Sequence, residues 1–198
     1  MADATLTVEH ERTSTGLNHR KLLMWFFLGS ECLFFGSLIS TYLVYRNRSL
    51  VGPVPPEIFD IPYTSVSSFV LLMSSLTMVL ALAAIQRGDV KGLRVWIMAT
   101  GLLGTVFLGG QVYEFTSFGR EGLDLSRNLF GTTFFTLTGF HGAHVTIGVL
   151  MLFSLFLNSL RGKVQQENSL TVELIGLYWH FVDIVWIIIF TVVYLLPY

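Results

Sequence analysis

Apolar residues in this chain come in five long runs, and the polar ones gather between them. A helix needs about 20 consecutive apolar residues to cross a hydrocarbon core. On that scale the pattern predicts five spanning helices, at about residues 22–45, 66–85, 93–113, 129–157 and 174–196. Only Glu31 interrupts the first run. The loop behind it holds Pro53, Pro55, Pro56 and Pro62, which lack the amide proton that a helix interior requires. Arg87-Gly88-Asp89 is a stop signal for the second helix, and Glu114 stands at the outer edge of the third. Polar stretches at 116–128 and 161–173 lead into the fourth and fifth. No segment is left over for a soluble domain, and no internal repeat is visible. The expected fold is an all-α integral membrane bundle, a single domain over 1–198 with a polar tail at 1–20.

Composition agrees with that pattern. Of the 198 residues, 53% are apolar and 13% charged, and mean hydropathy is +0.65. Soluble domains carry about 25% charged residues. A net charge of −1 and the lack of a basic patch speak against nucleic acid. The one cysteine, Cys32, lies inside an apolar run, so no disulfide framework or Cys-based metal motif is expected. The start of the chain lacks the basic segment and cleavage site of a signal peptide, so the first helix is expected to persist.

Orientation follows from Lys and Arg in the short connections. One side would hold Arg12, Arg20, Lys21, Arg87, Lys91, Arg94, Arg161 and Lys163; the other, Arg46, Arg48, Arg120 and Arg127. Eight against four predicts the N-terminus inside and the C-terminus outside. At about 1.5 Å of rise per residue, Glu31 then lies roughly 13 Å below the inner surface and His141 near mid-bilayer. His144, His180 and Asp183 fall at roughly 8, 9 and 13 Å from the same surface. The five groups share one band, and helices one, four and five are expected to bring them together.

Ionisable groups at such depth usually face a partner or a wet cavity. His141 and His144 are three residues apart, as are His180 and Asp183, so each pair lies on one helix face. Zinc or non-haem iron would suit two or three of these histidines with a carboxylate. No Glu stands between the first two as a metalloprotease base, however. Gly139 and Gly142 beside them favour close helix contact and structural hydrogen bonds. Haem between His144 and His180 is a further reading, without a second spaced pair or a Cys-x-x-Cys-His motif to support it. Two readings of Glu31 stand side by side, a neutral hydrogen-bonded acid and a proton relay. His180 is expected to bond Asp183 one turn away, and Trp179 and Trp186, at i and i+7, to pack on a neighbouring helix or subunit. Arg20, Lys21 and Trp25 at the inner mouth of helix one are candidates for a lipid phosphate or a snorkelling anchor. Gly29, Gly36, Gly101, Gly104, Gly109 and Gly110 predict that helices one and three are packed on several sides.

Several blocks are specific enough to carry a resemblance. They are Ser30-Glu31-x-x-x-Phe35, Arg87-Gly88-Asp89, Gln111-x-x-Glu114 and Gly131-Thr132-x-Phe134-Phe135. Then come Thr138-Gly139-Phe140-His141-Gly142-x-His144-Val145 and Trp179-His180-Phe181-Val182-Asp183-x-Val185-Trp186. In this order, over nearly the whole chain from about Leu22, they resemble subunit III of the haem-copper terminal oxidases in its short bacterial five-helix form. The long form has seven helices, and this chain resembles the later five.

The resemblance implies a subunit with no haem or copper of its own, beside a catalytic subunit I that holds both and reduces oxygen to water. It implies bound phospholipid, support of proton uptake into subunit I, and protection of the oxidase during turnover. Glu31 matches the family's buried carbodiimide-reactive glutamate. His141, His144, His180 and Asp183 match its buried polar set, and Lys21 a basic residue that meets a lipid headgroup. The motifs look more like the cytochrome c branch than the quinol-oxidase branch.

The expectation is therefore the non-catalytic third subunit of a proton-pumping terminal oxidase in a bacterial plasma membrane. Its partners would be subunit I, other oxidase subunits and phospholipid, with membership of a respiratory supercomplex left open. Glu114 joins Glu31, the histidines and Asp183 as buried polar candidates. Rival readings are a quinol-oxidase subunit, a stand-alone metalloprotein using His141, His144 and His180, and a transporter with Glu31 as proton carrier.

Overall fold

The computed structural model describes residues 16, 18–46, 48, 59–120, 122, 123, 125 and 129–196. Arg12, Arg127 and the loop prolines Pro53, Pro55 and Pro56 lie outside them, as does most of the polar tail. Five helices, each long and apolar enough to cross a membrane, make up the described chain: α1 (His19–Tyr45), α2 (Ile61–Gln86), α3 (Val90–Arg120), α4 (Leu129–Leu160) and α5 (Ser169–Phe190). A 3₁₀ turn, Gln166–Asn168, leads into α5, and a π turn, Thr191–Leu195, continues it.

Helix ends differ from the apolar pattern for local reasons. Pro62, expected in a loop, lies in the first turn of α2, where its missing amide proton costs nothing and Asp60 caps the helix by accepting from the Tyr63 amide at 3.1 Å. The third helix runs on to Arg120 and takes Glu114 into its buried side, because Phe115 and Phe118 still find core contacts. Asn18 caps α1 four residues before the apolar run starts, accepting from the Arg20 amide at 2.9 Å. Gly88 and Gly162 take φ of +78° and +71°, which lets the chain turn directly after α2 and α4.

The helices pack in the order α2–α3–α4, with α5 laid against α2 and α4, and α1 resting on α4 and α5. α5 is the centre. Its Trp179 is 1% exposed and spans three neighbours: the indole N–H donates to Ser74 of α2 at 2.9 Å, while the ring fills the space above Gly104 of α3 and Gly148 of α4. A Cβ on Gly104 would come within 2.5 Å of that ring, and one on Gly148 within 2.8 Å. Two turns on, Trp186 donates to Ser68 of α2 at 2.8 Å, stacks on His141 of α4 and meets Phe107 of α3 edge-on. The heptad pair expected to face a neighbour thus faces three of them inside the chain.

The glycines of α1 do not follow the expectation of packing on several sides. A Cβ on Gly29 or Gly36 would meet nothing within 4 Å, and the same holds for Gly109 of α3. α1 buries only Leu28, Phe35 and Tyr42 of its 27 residues. One seam, and no more, joins it to the bundle.

Overpacking a filled core costs about 1–3 kcal/mol. Gly104→Leu and Gly148→Leu should each lower stability by that order in denaturant titration of the purified chain, and Gly29→Ala and Gly36→Ala should not. Equal losses at Gly29 and Gly148 would contradict the assignment of the two tryptophans as the centre.

Candidate functional site

The buried ionisable groups divide into four separate places. Glu31 of α1 and His144 of α4 meet, with Oε2 and Nε2 3.3 Å apart and both side chains mostly buried. His144 Nδ1 lies 2.7 Å from the Phe140 carbonyl oxygen. A carbonyl only accepts, so Nδ1 carries a proton and Nε2 is the nitrogen that faces Glu31. Tyr178 of α5 donates to the His144 carbonyl at 3.0 Å, drawing a third helix to the same point.

His141, one turn away, turns elsewhere. It is fully buried, with its ring stacked on Trp186 at 4.9 Å between centroids and edge-on to Phe107. Neither ring nitrogen has a hydrogen-bond partner among the described residues. Phe35 of α1 lies between the two imidazoles, 6.5 Å from His141 and 5.0 Å from His144. In this position His141 acts as a flat aromatic filler.

The third place is the α2–α5 seam. His180 and Asp183 do not bond each other, contrary to expectation; Ser75 of α2 stands between them. Its hydroxyl donates to Asp183 Oδ2, and His180 Nδ1 lies 3.0 Å from the Ser75 Oγ itself. A shared hydroxyl satisfies both groups where a direct bond one turn apart would leave α2 without a link. Asp183 Oδ1 has no partner among the described residues. The single band expected across helices one, four and five is thus split, because the α5 pair turns toward α2.

Glu114 belongs to a separate cluster at the other end of the bundle. Its Oε1 accepts from Thr64 of α2 at 2.8 Å and from Tyr194 of the π turn at 3.2 Å. Gln111, one turn earlier, donates to the Thr138 carbonyl of α4 at 2.8 Å, passing over Gly142, where a Cβ would come within 2.7 Å of its amide.

At the N-terminal end of α1, Lys21 forms an ion pair with Glu173 of α5. Arg20 lines a cleft of about 640 Å³ with Leu23, Phe26, Phe27 and Leu174, and Trp25 is 55% exposed. Of the three lipid candidates Arg20 lines the cleft, and it forms no ion pair among the described residues.

The three histidines of the metal reading do not converge on one point. Among the described residues no three His, Cys, Asp or Glu side chains come together in a group able to hold a metal ion. His141 faces aromatic rings, His144 faces Glu31, and His180 faces Ser75. Several partners escaped the sequence reading: Ser68, Ser74 and Ser75 on α2, Thr64, Tyr178 and Tyr194. One signal was available, since the serine pairs Ser67-Ser68 and Ser74-Ser75 repeat at seven residues, as do Trp179 and Trp186 on the antiparallel helix, whose indoles donate to Ser74 and Ser68.

The family model described as cytochrome c oxidase subunit III matches residues 1–198. The chain is 38% identical over 193 residues to cytochrome c oxidase subunit 3 of Bacillus sp. (strain PS3), covering 97% of this chain and 93% of the relative. It is 39% identical over 172 residues to quinol oxidase subunit 3 of Bacillus subtilis (strain 168), covering 87% and 84%. Cytochrome bo(3) ubiquinol oxidase subunit 3 of Pseudomonas aeruginosa (strain PAO1) matches at 38% over 172 residues, covering 87% and 82%.

A double-mutant cycle tests the partition of the polar groups. Glu31→Ala with His144→Ala should give a coupling of about 1 kcal/mol, in the range of interhelical bonds in membrane proteins. Glu31→Ala with His180→Ala should be additive. Coupling of the second pair as large as the first would rejoin what the structure separates.

Proposed function

The chain belongs to the cytochrome c oxidase subunit III family, and we propose that it serves as the non-catalytic third subunit of a haem-copper oxidase in a bacterial plasma membrane. In this reading it packs beside subunit I, which holds haem and copper and reduces oxygen to water. It steadies that subunit during turnover and supports its proton uptake. The N-terminus lies inside and the C-terminus outside, and the whole chain is one membrane domain. Arg20 and the cleft beside it hold a phospholipid, with Lys21 and Trp25 flanking.

The match to the family over residues 1–198 carries this reading. The geometry supports it, because the ionisable groups within the spans act as fasteners. Glu31 holds His144, His180 and Asp183 hold Ser75, and Glu114 holds Thr64 and Tyr194. None of these clusters pairs a nucleophile with a base and an open substrate site. Relatives of cytochrome c and quinol oxidases match at nearly the same identity, 38% and 39%, so the likeness carries the subunit's place and not the electron donor.

An affinity-tagged chain purified in mild detergent from its own membrane should bring down a haem-bearing polypeptide in fixed ratio. The chain released from that complex should carry neither haem nor copper in metal analysis. Purification without a haem-bearing companion, or metal retained in fixed ratio on the released chain, would refute the proposal. Within the assembled oxidase, Glu31→Gln should leave initial turnover nearly unchanged, since a glutamine still bonds His144. A joint collapse of turnover and proton pumping would instead make Glu31 a relay.

A further inference from the structure

Helix α5 has one face that the rest of the described chain leaves open. α1 and α2 both pack on α5 but not on each other. Asp183 turns toward Ser75 of α2 and Phe181 toward Phe35 of α1. At about 100° per residue, His180, Ile184, Ile187 and Ile188 project between these two directions. The three isoleucines are exposed and His180 is partly so. On the α2 side the face is bordered by Leu72, Leu76 and Val79, all exposed, which surround Ser75 at helical spacing. On the α1 side the border is small. Phe34 meets Phe140 of α4 and Phe35 meets Phe181, so Gly36, about 100° further round, lies on the flank away from α4. Gly29 shares that flank seven residues earlier, and a Cβ on either glycine would meet nothing within 4 Å.

In the middle of this apolar face sits one polar spot. Ser75 is roughly 21 Å from the start of α2 and roughly 17 Å from its end, and His180 is roughly 17 Å from the start of α5. The Ser75 hydroxyl gives its one proton to Asp183 Oδ2, so toward His180 Nδ1 it accepts. The imidazole proton is therefore on Nδ1, and in the neutral ring Nε2 is a bare acceptor. Nε2 has no partner among the described residues, and unlike the nitrogens of His141 it is not sealed inside the bundle. Asp183, 3% exposed, also keeps Oδ1 without a partner among them. An acyl tail has no proton to donate, and a polar atom left bare in hydrocarbon is strongly disfavoured.

We infer that this face of α5 is the docking surface for a membrane-spanning helix of another polypeptide, which brings a hydrogen-bond donor to His180 Nε2 at mid-membrane. Gly29 and Gly36 let the backbone of that helix come close to α1. Leu72, Leu76 and the isoleucines give it an apolar bed. None of these residues lines the cleft beside Arg20. The inference rests on the proposed function only in needing a partner polypeptide, and it does not require that partner to bear haem.

The test uses the chain in the complex with which it purifies in mild detergent. A photoactivatable benzophenone side chain in place of Leu76 or of Ile184 should cross-link to one spanning segment of one co-purifying polypeptide, located by peptide mapping. Adducts with lipid or detergent alone, or with a second copy of this chain, would overturn the inference. His180→Asn keeps a group at the Ser75 bond and removes the outward nitrogen. It should shorten the lifetime of the complex about threefold, the weight of one interhelical bond in a membrane, and leave the released chain as stable as before. His180→Gln, whose amide oxygen reaches the outward position, should restore the lifetime. A lifetime unchanged by His180→Asn, shortened equally by both variants, or shortened only as the released chain itself loses stability, would count against the inference. A cross-linked partner in a complex without haem would uphold it and refute the oxidase reading; a haem-bearing complex with lipid adducts alone would do the reverse.

Discussion

Everything in this bundle is arranged around the notch that receives Trp179. Helices in a membrane gain little from hiding apolar surface, since lipid is as apolar as leucine, and close packing has to supply the attraction. Gly104 and Gly148 let α3 and α4 approach a large flat ring on α5. Ser74 then accepts the indole proton, so the ring's one polar atom is not stranded. Trp186 repeats the arrangement two turns further with Ser68, Phe107 and His141. Two rings on one helix thus set the positions of three others.

The polar pairs play a smaller energetic part and a larger geometric one. Interhelical hydrogen bonds in membrane proteins contribute on average about 0.6 kcal/mol each. Such a bond cannot hold a helix, but it can select the rotation and depth at which the helix sits. The Ser75 hydroxyl meets both Asp183 and His180 in only one register of α2 against α5. Ser68 and Ser74 fix the same register through the tryptophans. The number of agreeing bonds matters more than the strength of any one.

This division explains what was legible in the sequence. The number of helices follows from apolar run length alone. The seven-residue spacing of Trp179 and Trp186 was visible. Rotation was not legible. His141 and His144 share a helix face by spacing, yet one points into the aromatic centre and the other toward Glu31, because the boundary between α1 and the core passes between them. Helix ends were misread where tertiary contact prolongs a helix past its apolar run, as at Glu114 and Phe118. The serines of α2 passed as ordinary polar interruptions, since a hydroxyl bonding its own helix and one serving a neighbour look alike in sequence. Ser65 does the first, donating to the Ile61 carbonyl, and Ser75 does the second.

α1 shows the other way to attach a membrane helix. α5 buries ten of its 22 residues; α1 buries three of 27, at Leu28, Phe35 and Tyr42, one in every seven. So narrow a seam fixes the face of the helix but resists sliding poorly. Three polar ties supply that resistance, at three depths. Lys21 pairs with Glu173 at the N-terminal end, Glu31 meets His144 in the middle, and Arg46 donates to the Leu196 carbonyl at the C-terminal end. The ties lie ten and fifteen residues apart, about 15 and 22 Å along the axis. Their partners are on α4, on α5 and just beyond the π turn, so no single displacement of α1 satisfies all three elsewhere. Charge in this helix does the positional work that glycine and tryptophan do in the rest of the bundle, and it leaves the remaining surface of α1 free of obligations to its own chain.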